Sequence, residues 1–306
     1  MTSIRDAFGQ ALLEFGENDK KIALVSCDLK VATKSDLFFQ KFPNRSIEVG
    51  IAEANAIGVA AGLSMSGFKT VLSSFGAFLS GKNVEIRTSI AYNNAPVILV
   101  GTHGGLIGPD GATQSGIQDI SVMRSMPNMK VFQPSTPILT KKILKYCINN
   151  NTPSYIRVAR NEVPEIYKED MDFVEGEPLY HGNQADMILI SSGPMLHNCI
   201  LASELLNKEH NIVVGIIDIP SIKPLNLESL KKLIIGKKHI FTVEDHMIQG
   251  GLGSLIGESL SAMNVNTSLH IKGLNSFVGS GKPDELEKRY SLDSISIVKF
   301  ILDAIA

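Results

Sequence analysis

The sequence is short of cysteine, of net charge and of long apolar runs, and each shortage excludes a class of protein. Three cysteines in 306 residues, Cys27, Cys147 and Cys199, are odd in number and far apart. They supply neither a disulfide framework nor paired metal-ligand spacing, and they read as reduced thiols of a cytoplasmic protein. Twenty-nine basic residues against thirty-one acidic ones leave a formal charge of -2. That balance provides no broad field for nucleic-acid phosphates or an anionic membrane surface. No apolar run approaches the roughly 20 residues needed to span a bilayer. The opening Met1-Thr2-Ser3-Ile4-Arg5-Asp6 lacks the basic-then-apolar pattern of a signal peptide. Low-complexity segments and convincing internal repeats are missing too.

What is present is material for two packed cores, with 44% hydrophobic and 20% charged residues. Short β-rich runs at 21–27 (KIALVSC), 70–73, 96–100 (PVILV) and 130–133 (KVFQ) alternate with segments long enough for helices. The pattern resumes at 187–191, 212–217 and 239–243. This alternation predicts an α/β fold of parallel βαβ units, with mainly parallel sheets flanked by helices. The spacing of Ile4, Ala7, Phe8, Ala11 and Leu12 predicts a one-faced helix over 3–15. Residues 53–63 (EANAIGVAAGL) read as a helix buried on most sides, and 294–306 as a closing helix. The acidic stretch 161–178, with Pro164 and Pro178, reads as a linker. The boundary is expected near Val174, giving domains at 1–173 and 174–306.

Several residues carry possible chemistry. Glu53 opens the uncharged helix directly after Val49-Gly50-Ile51-Ala52. It is either an exposed first-turn carboxylate favouring the helix dipole or a buried acid kept to share a proton with a ligand. Phe75 and Phe78 follow a strand and serve either as core or as a ligand platform. His103, in Gly101-Thr102-His103-Gly104-Gly105, ends the 96–100 run, at the edge where open α/β sheets collect ligands. The Gly-rich 108–114 segment, GPDGATQ, is a surface turn or a ligand loop. Glu244-Asp245-His246 and the following Gly250-Gly251-Leu252-Gly253 imitate a dinucleotide loop. The third glycine is misplaced at Gly257, so tight strand-to-helix packing is the better account.

Together these segments resemble the C-terminal half of transketolase and 1-deoxyxylulose-5-phosphate synthase. The similarity covers nearly the whole chain: EVGIAEANAIGVAAGLS at 48–64, SSFGAFLSG, THGGLIGPDGATQ, SMPNMKVFQPS at 125–135 and VEDHMIQGGLGS at 243–254 occur in order. The resemblance implies a pyrimidine-binding domain followed by a transketolase C-terminal domain. It implies that Glu53 hydrogen-bonds the aminopyrimidine of thiamine diphosphate and that sharing this proton helps to activate the cofactor's thiazolium carbon. Phe75 would stack on the pyrimidine, Phe78 would supply apolar wall, and Asp28 matches an Asp-Leu near the cofactor. Arg5 and His103 match positions that contact sugar phosphate, His103 with a catalytic part. Asp110 matches an aspartate facing substrate hydroxyls, and Arg157 falls where the deoxyxylulose-phosphate synthases place a phosphate-binding arginine.

The departures from the family carry information of their own. A histidine of the family is Gln114 here, and an amide hydrogen-bonds a hydroxyl but does not shuttle a proton near neutral pH. The family's Arg-Pro-x-Asp reads Gln133-Pro134-Ser135-Thr136, without its arginine. No Gly-Asp-Gly occurs, so the Mg²⁺ and diphosphate site is expected on a partner, with no metal held by this chain. The expectation is the C-terminal subunit of a two-chain transketolase, working as a pair of heterodimers on ketoses and aldehydes. The rivals are a decarboxylating deoxyxylulose-phosphate-synthase-like enzyme, a 2-oxo-acid dehydrogenase beta subunit, and a non-catalytic regulatory chain.

Overall fold

Strands without a polar face need helices on both sides, and the two larger sheets of this chain are built that way. The computed structural model describes residues 2–182 and 184–306. Seven strands of the first sheet lie in the order Ser221–Lys223, Lys130–Phe132, Ser154–Val158, Ile98–Thr102, Lys69–Phe75, Ile22–Ser26 and Ser46–Glu48. All neighbours are parallel except Ser221–Lys223, which runs antiparallel to Lys130–Phe132. The second sheet holds Ser268–Leu274, His239–Met247, Met187–Ser191, Val214–Asp218 and Leu179–His181, the last antiparallel to its neighbour. The fold is α/β with mainly parallel sheets.

Helix Ile4–Asn18 follows the expected spacing, and Ser3 caps it by accepting the Asp6 N–H. Its buried Ile4, Phe8 and Leu12 belong to one apolar cluster with Ile22, Ile98 and Ile156 of the first sheet. A second cluster joins the two halves, combining Ile120, Met123 and Met126 with Ile219, Ile222 and Leu252. A third covers the far face of the second sheet, where Leu189 and Phe241 meet Ile297 and Ile301 of the closing helix Ser294–Ile305.

The acidic stretch is tied down rather than free. Glu162–Val163 pairs antiparallel with Thr2–Ser3, and Phe173 packs edge-on against Phe132 and Tyr146. The Tyr167 hydroxyl donates to Asp218 at 2.8 Å. Strand Ser221–Lys223 departs from a linear division of the chain, crossing from the second half to edge the first sheet. Gln133 lies at the same junction, buried against Gly193 and donating its backbone N–H to the Pro220 carbonyl at 2.9 Å.

The helix Glu53–Met65 differs from its expectation. Ala56, Ile57, Ala60 and Ala61 are buried, but the opposite face is open. Beyond the helix's own backbone and the adjacent residues, no described atom lies within 4 Å of where a Cβ on Gly58 or Gly62 would sit, Met65 is 67% exposed, and Ile51 just before the helix is 85% exposed. A helix apolar all round ordinarily has cover on every side, and this chain supplies it on one.

Candidate active site

Parallel strands end along one edge, and the chemistry gathers there. Phe75 closes strand Lys69–Phe75 in register with Thr102 at the end of the next strand. Glu53, half-buried in the first turn of its helix, accepts a hydrogen bond from the Ser74 hydroxyl at 3.3 Å. Phe75 is almost fully buried and stacks on Phe78 with ring centroids 5.2 Å apart and planes inclined by 24°. The His103 ring lies 3.8 Å from the Phe75 ring, centroid to centroid. Carboxylate, aromatic pair and imidazole therefore share one wall.

His103 is buried and sits at φ 59°, a left-handed conformation that turns the chain sharply off its strand. Arg5 Nη1 lies 3.4 Å from its Nε2, and Thr102 Oγ1 lies 2.9 Å from its Nδ1. An arginine only donates, so Nε2 accepts and the ring proton sits on Nδ1, donated to Thr102. The Thr102 hydroxyl then donates to the Ser74 carbonyl at 3.4 Å. Burial first, then the charges of Arg5 and Arg160, push the His103 pKa down to about 3. His103 is a neutral imidazole across the physiological range.

A loop from 103 to 118 carries two further candidates of this edge. Asp110 is exposed and ion-paired with Arg160, and Gln114 is half-buried. Arg5 also donates to the Ala32 carbonyl at 2.9 Å, while its buried Nε–H has no partner among the described residues. Burial and the nearby Arg160 charge lower the Arg5 pKa. Asp28 stands exposed at φ 60° beyond strand Ile22–Ser26, its N–H held by Glu48 Oε1 at 2.7 Å.

Arg157 does not join them. It is 1% exposed and faces the protein interior, so the expectation that it contacts a substrate phosphate does not fit the structure. Nε donates to Asp119 at 3.1 Å, Nη1 to Asp245 at 2.6 Å, and Nη2 to the Gly116 carbonyl at 2.7 Å. Burial works against its charge, but the carboxylates of Asp119 and Asp245 more than offset this and raise its pKa. The reason is strand geometry: Arg157 lies within Ser154–Val158, whereas Arg160 lies beyond the strand's carboxyl end, where ligands collect. Arg160 is not among the residues that the motifs single out. The usable signal was the apolar company of Arg157 in Tyr-Ile-Arg-Val, since a charge inside a buried strand needs protein partners.

The Glu244-Asp245-His246 segment is likewise interior. Glu244 accepts the N–H groups of Leu252 and Gly253 at 2.7 and 2.9 Å, and burial raises its pKa to about 7. A Cβ at Gly251 would overlap the Glu244 carboxylate, which is the tight strand-to-helix packing expected there. Among the described residues, no three His, Cys, Asp or Glu side chains gather into a metal site, and no helix is long and apolar enough to cross a membrane.

Residues 1–165 match the transketolase pyrimidine-binding domain and residues 176–297 the transketolase C-terminal domain. The chain belongs to the transketolase family. It is 36% identical to a candidate transketolase C-terminal section of Methanocaldococcus jannaschii, covering 98% of this chain and 95% of that one. It is 34% identical to a 1-deoxy-D-xylulose-5-phosphate synthase of Clostridium kluyveri, covering 97% of this chain but 48% of the synthase. A solved structure of a split-gene transketolase, described as an inactive β4 tetramer, superposes with a TM-score of 0.91 at 33% identity, over 99% and 98% of the two chains. The chain thus spans a transketolase section of its own size and about half of a full-length synthase. Within this family of transferases the edge just described lies in the pyrimidine-binding domain.

Proposed function

We propose that this chain is the C-terminal subunit of a two-chain transketolase that moves a two-carbon ketol unit from a ketose, usually phosphorylated, to an aldehyde acceptor. The observation that carries the reading is the wall formed by Glu53, Phe75, Phe78 and His103 at the carboxyl edge of a transketolase pyrimidine-binding domain. The residues present fit one half of thiamine diphosphate, which when bound supplies the carbanion chemistry of ketol transfer. Glu53, steadied by Ser74, offers a carboxylate oxygen to a ring nitrogen and holds the shared proton there. Phe75 and Phe78 give a flat apolar wall on which an aminopyrimidine stacks. Asp28 stands near the same cofactor edge.

The other half of the cofactor finds no metal-ligand cluster among the described residues. The sequence has no Gly-Asp-Gly and the described residues no three-ligand cluster, which supports a partner subunit as the holder of Mg²⁺ and the diphosphate. The open face of helix Glu53–Met65, with Gly58, Gly62 and Met65 uncovered, is where that partner or a second copy closes the site. Two copies of each chain form the working assembly in this reading. The inactive β4 form of the split-gene relative supports the need for a partner. Three buried free thiols suit a cytoplasmic location.

Arg5 and Arg160 bind the substrate's phosphate, the orphaned Nε–H of Arg5 being the donor left for it. Arg160 replaces Arg157 in this role. Asp110 and Gln114 hydrogen-bond substrate hydroxyls, and Gln114 moves no proton. Neutral His103, with Nε2 accepting from Arg5, orients polar groups rather than acting as a general acid. The test is to combine the chain with its N-terminal partner, thiamine diphosphate and Mg²⁺ and to measure ketol transfer. Transfer between a ketose phosphate and an aldehyde is expected. No transfer across a broad panel of ketoses, despite bound cofactor, would overturn the reading. The 34% identity to a deoxyxylulose-phosphate synthase supports a second reading, decarboxylating condensation of pyruvate with an aldehyde, which carbon dioxide release would favour.

A further inference from the structure

The loop that carries His103, Asp110 and Gln114 rests along its length on the second domain. Its neck is a bridge between Gly104 and Gly116, with the Gly105 N–H donated to the Gly116 carbonyl and the Gly116 N–H to the His103 carbonyl, each at 2.9 Å. Beneath the neck lies the cluster of Arg157, Asp119, Tyr155 and Asp245. Arg157 donates from one guanidinium to Asp119 of the first domain, to the Gly116 carbonyl of the neck and to Asp245 of the second domain. The cluster presses so closely that a Cβ at Gly104 would meet Arg157 Nε at 2.6 Å, and one at Gly105 would overlap the Asp245 carboxylate. This is the physical reason for the Gly-Gly that follows His103. The base of the loop is held by Met247, whose N–H donates to the Ile117 carbonyl at 2.9 Å, and the tip by Ser280, whose hydroxyl donates to the Pro109 carbonyl at 2.6 Å.

We infer that Asp245 of the second domain, acting through Arg157, is a positioning residue that sets the substrate loop 103–118, and that the second domain thereby takes part in substrate recognition without touching substrate. The contribution to substrate recognition rests on the transketolase reading; the contribution to loop geometry does not.

Hydrogen exchange on the full chain, with and without Asp245→Asn, separates the two. This substitution keeps the shape and removes the charge that Arg157 faces. Exchange at the Gly105 and Gly116 amides should quicken at least tenfold while strand Met187–Ser191 keeps its protection. Unchanged neck amides overturn the inference. If the variant proves broadly unstable, Ser280→Ala reads the tip alone. It should accelerate exchange severalfold within 108–114, and no change there also overturns the inference. In the reconstituted enzyme, Asp245→Asn should raise the KM for ketose about tenfold and leave the thiamine diphosphate requirement and most of kcat in place. A fall in kcat with KM unchanged contradicts the recognition role even if the exchange result stands. Absence of ketol transfer in the unaltered complex counts against the transketolase reading alone.

Discussion

Arg157 lies within a strand and Arg160 three residues further on, beyond its end, and the two live in opposite surroundings. Below the strand ends Arg157 is sealed, its donors spread over Asp119, Asp245 and backbone carbonyls. Above them Arg160 is about one-third exposed, ion-paired with Asp110, and close to Arg5, which keeps an N–H unpartnered among the described residues. A polar cluster whose groups satisfy one another has nothing to offer a ligand and acts by fixing geometry. A cluster with a spare buried donor and two neighbouring cations is set up for an anion. The lower cluster therefore builds the loop and the upper one uses it.

Removing the centre of the closed cluster should have the largest effect. Arg157→Met strands two buried carboxylates and should cost about 3–5 kcal/mol of stability, read from denaturant midpoints. A loss below ~1 kcal/mol would mean the cluster is not the sealed unit described. Next comes Glu53→Gln on the same strand-end edge, expected to lower turnover of the reconstituted enzyme about a hundredfold through lost acid–base assistance. Its effect on stability should be small, because Glu53 is half-buried with a single hydroxyl donor in the chain. Turnover left intact would remove the catalytic assignment. Arg160→Ala should change stability by no more than about 1 kcal/mol, as for an exposed ion pair, while weakening phosphorylated substrates more than unphosphorylated ones. Equal weakening of both would break the contrast between the two arginines.

The smallest expected effect is a pH slope. His103 has a folded pKa of about 3, below its ordinary value near 6.5, because burial, Arg5 and Arg160 all disfavour its charge. Between those two pH values the unfolded chain binds a proton that the folded chain refuses. His103 therefore costs stability progressively as pH falls from about 6.5 towards 3, and nothing above that window. Glu244 and Asp218, both raised to about 7 by burial, work in the opposite direction: they favour the fold at low pH and lose that contribution as pH rises towards 7. Melting temperatures of His103→Asn should accordingly fall less steeply than those of the unaltered chain between pH 6.5 and 4. Parallel curves would place the imidazole in a more solvated setting than the structure does.

Much of the scaffold was legible because it is local. Strand Met187–Ser191 and the starts of helices Glu53–Met65 and Ser294–Ile305 follow from apolar runs and from the texture around them. Strand Ser154–Val158 is harder to read because a full charge interrupts it, and the expectation of a phosphate contact at Arg157 came from the family resemblance alone. Strand Ser221–Lys223 is three residues long and pairs across the molecule, a register that no local pattern announces. At the candidate site the residue types of the edge were legible from motifs. The reason for Gly104 and Gly105 was not, since the side chains that exclude a Cβ lie more than 50 and 130 residues further along the chain. Composition marked helix Glu53–Met65 as apolar all round, but one of its faces is exposed in this chain.

The central claim is that this chain holds the aminopyrimidine side of the cofactor and lacks the diphosphate side. The most direct measurement is titration of thiamine diphosphate with Mg²⁺ into the chain alone and into the chain with its partner. The account predicts saturable, Mg²⁺-dependent binding in the mixture and none in the chain by itself. Mg²⁺-dependent binding to the isolated chain, at the affinity of the mixture, would contradict it.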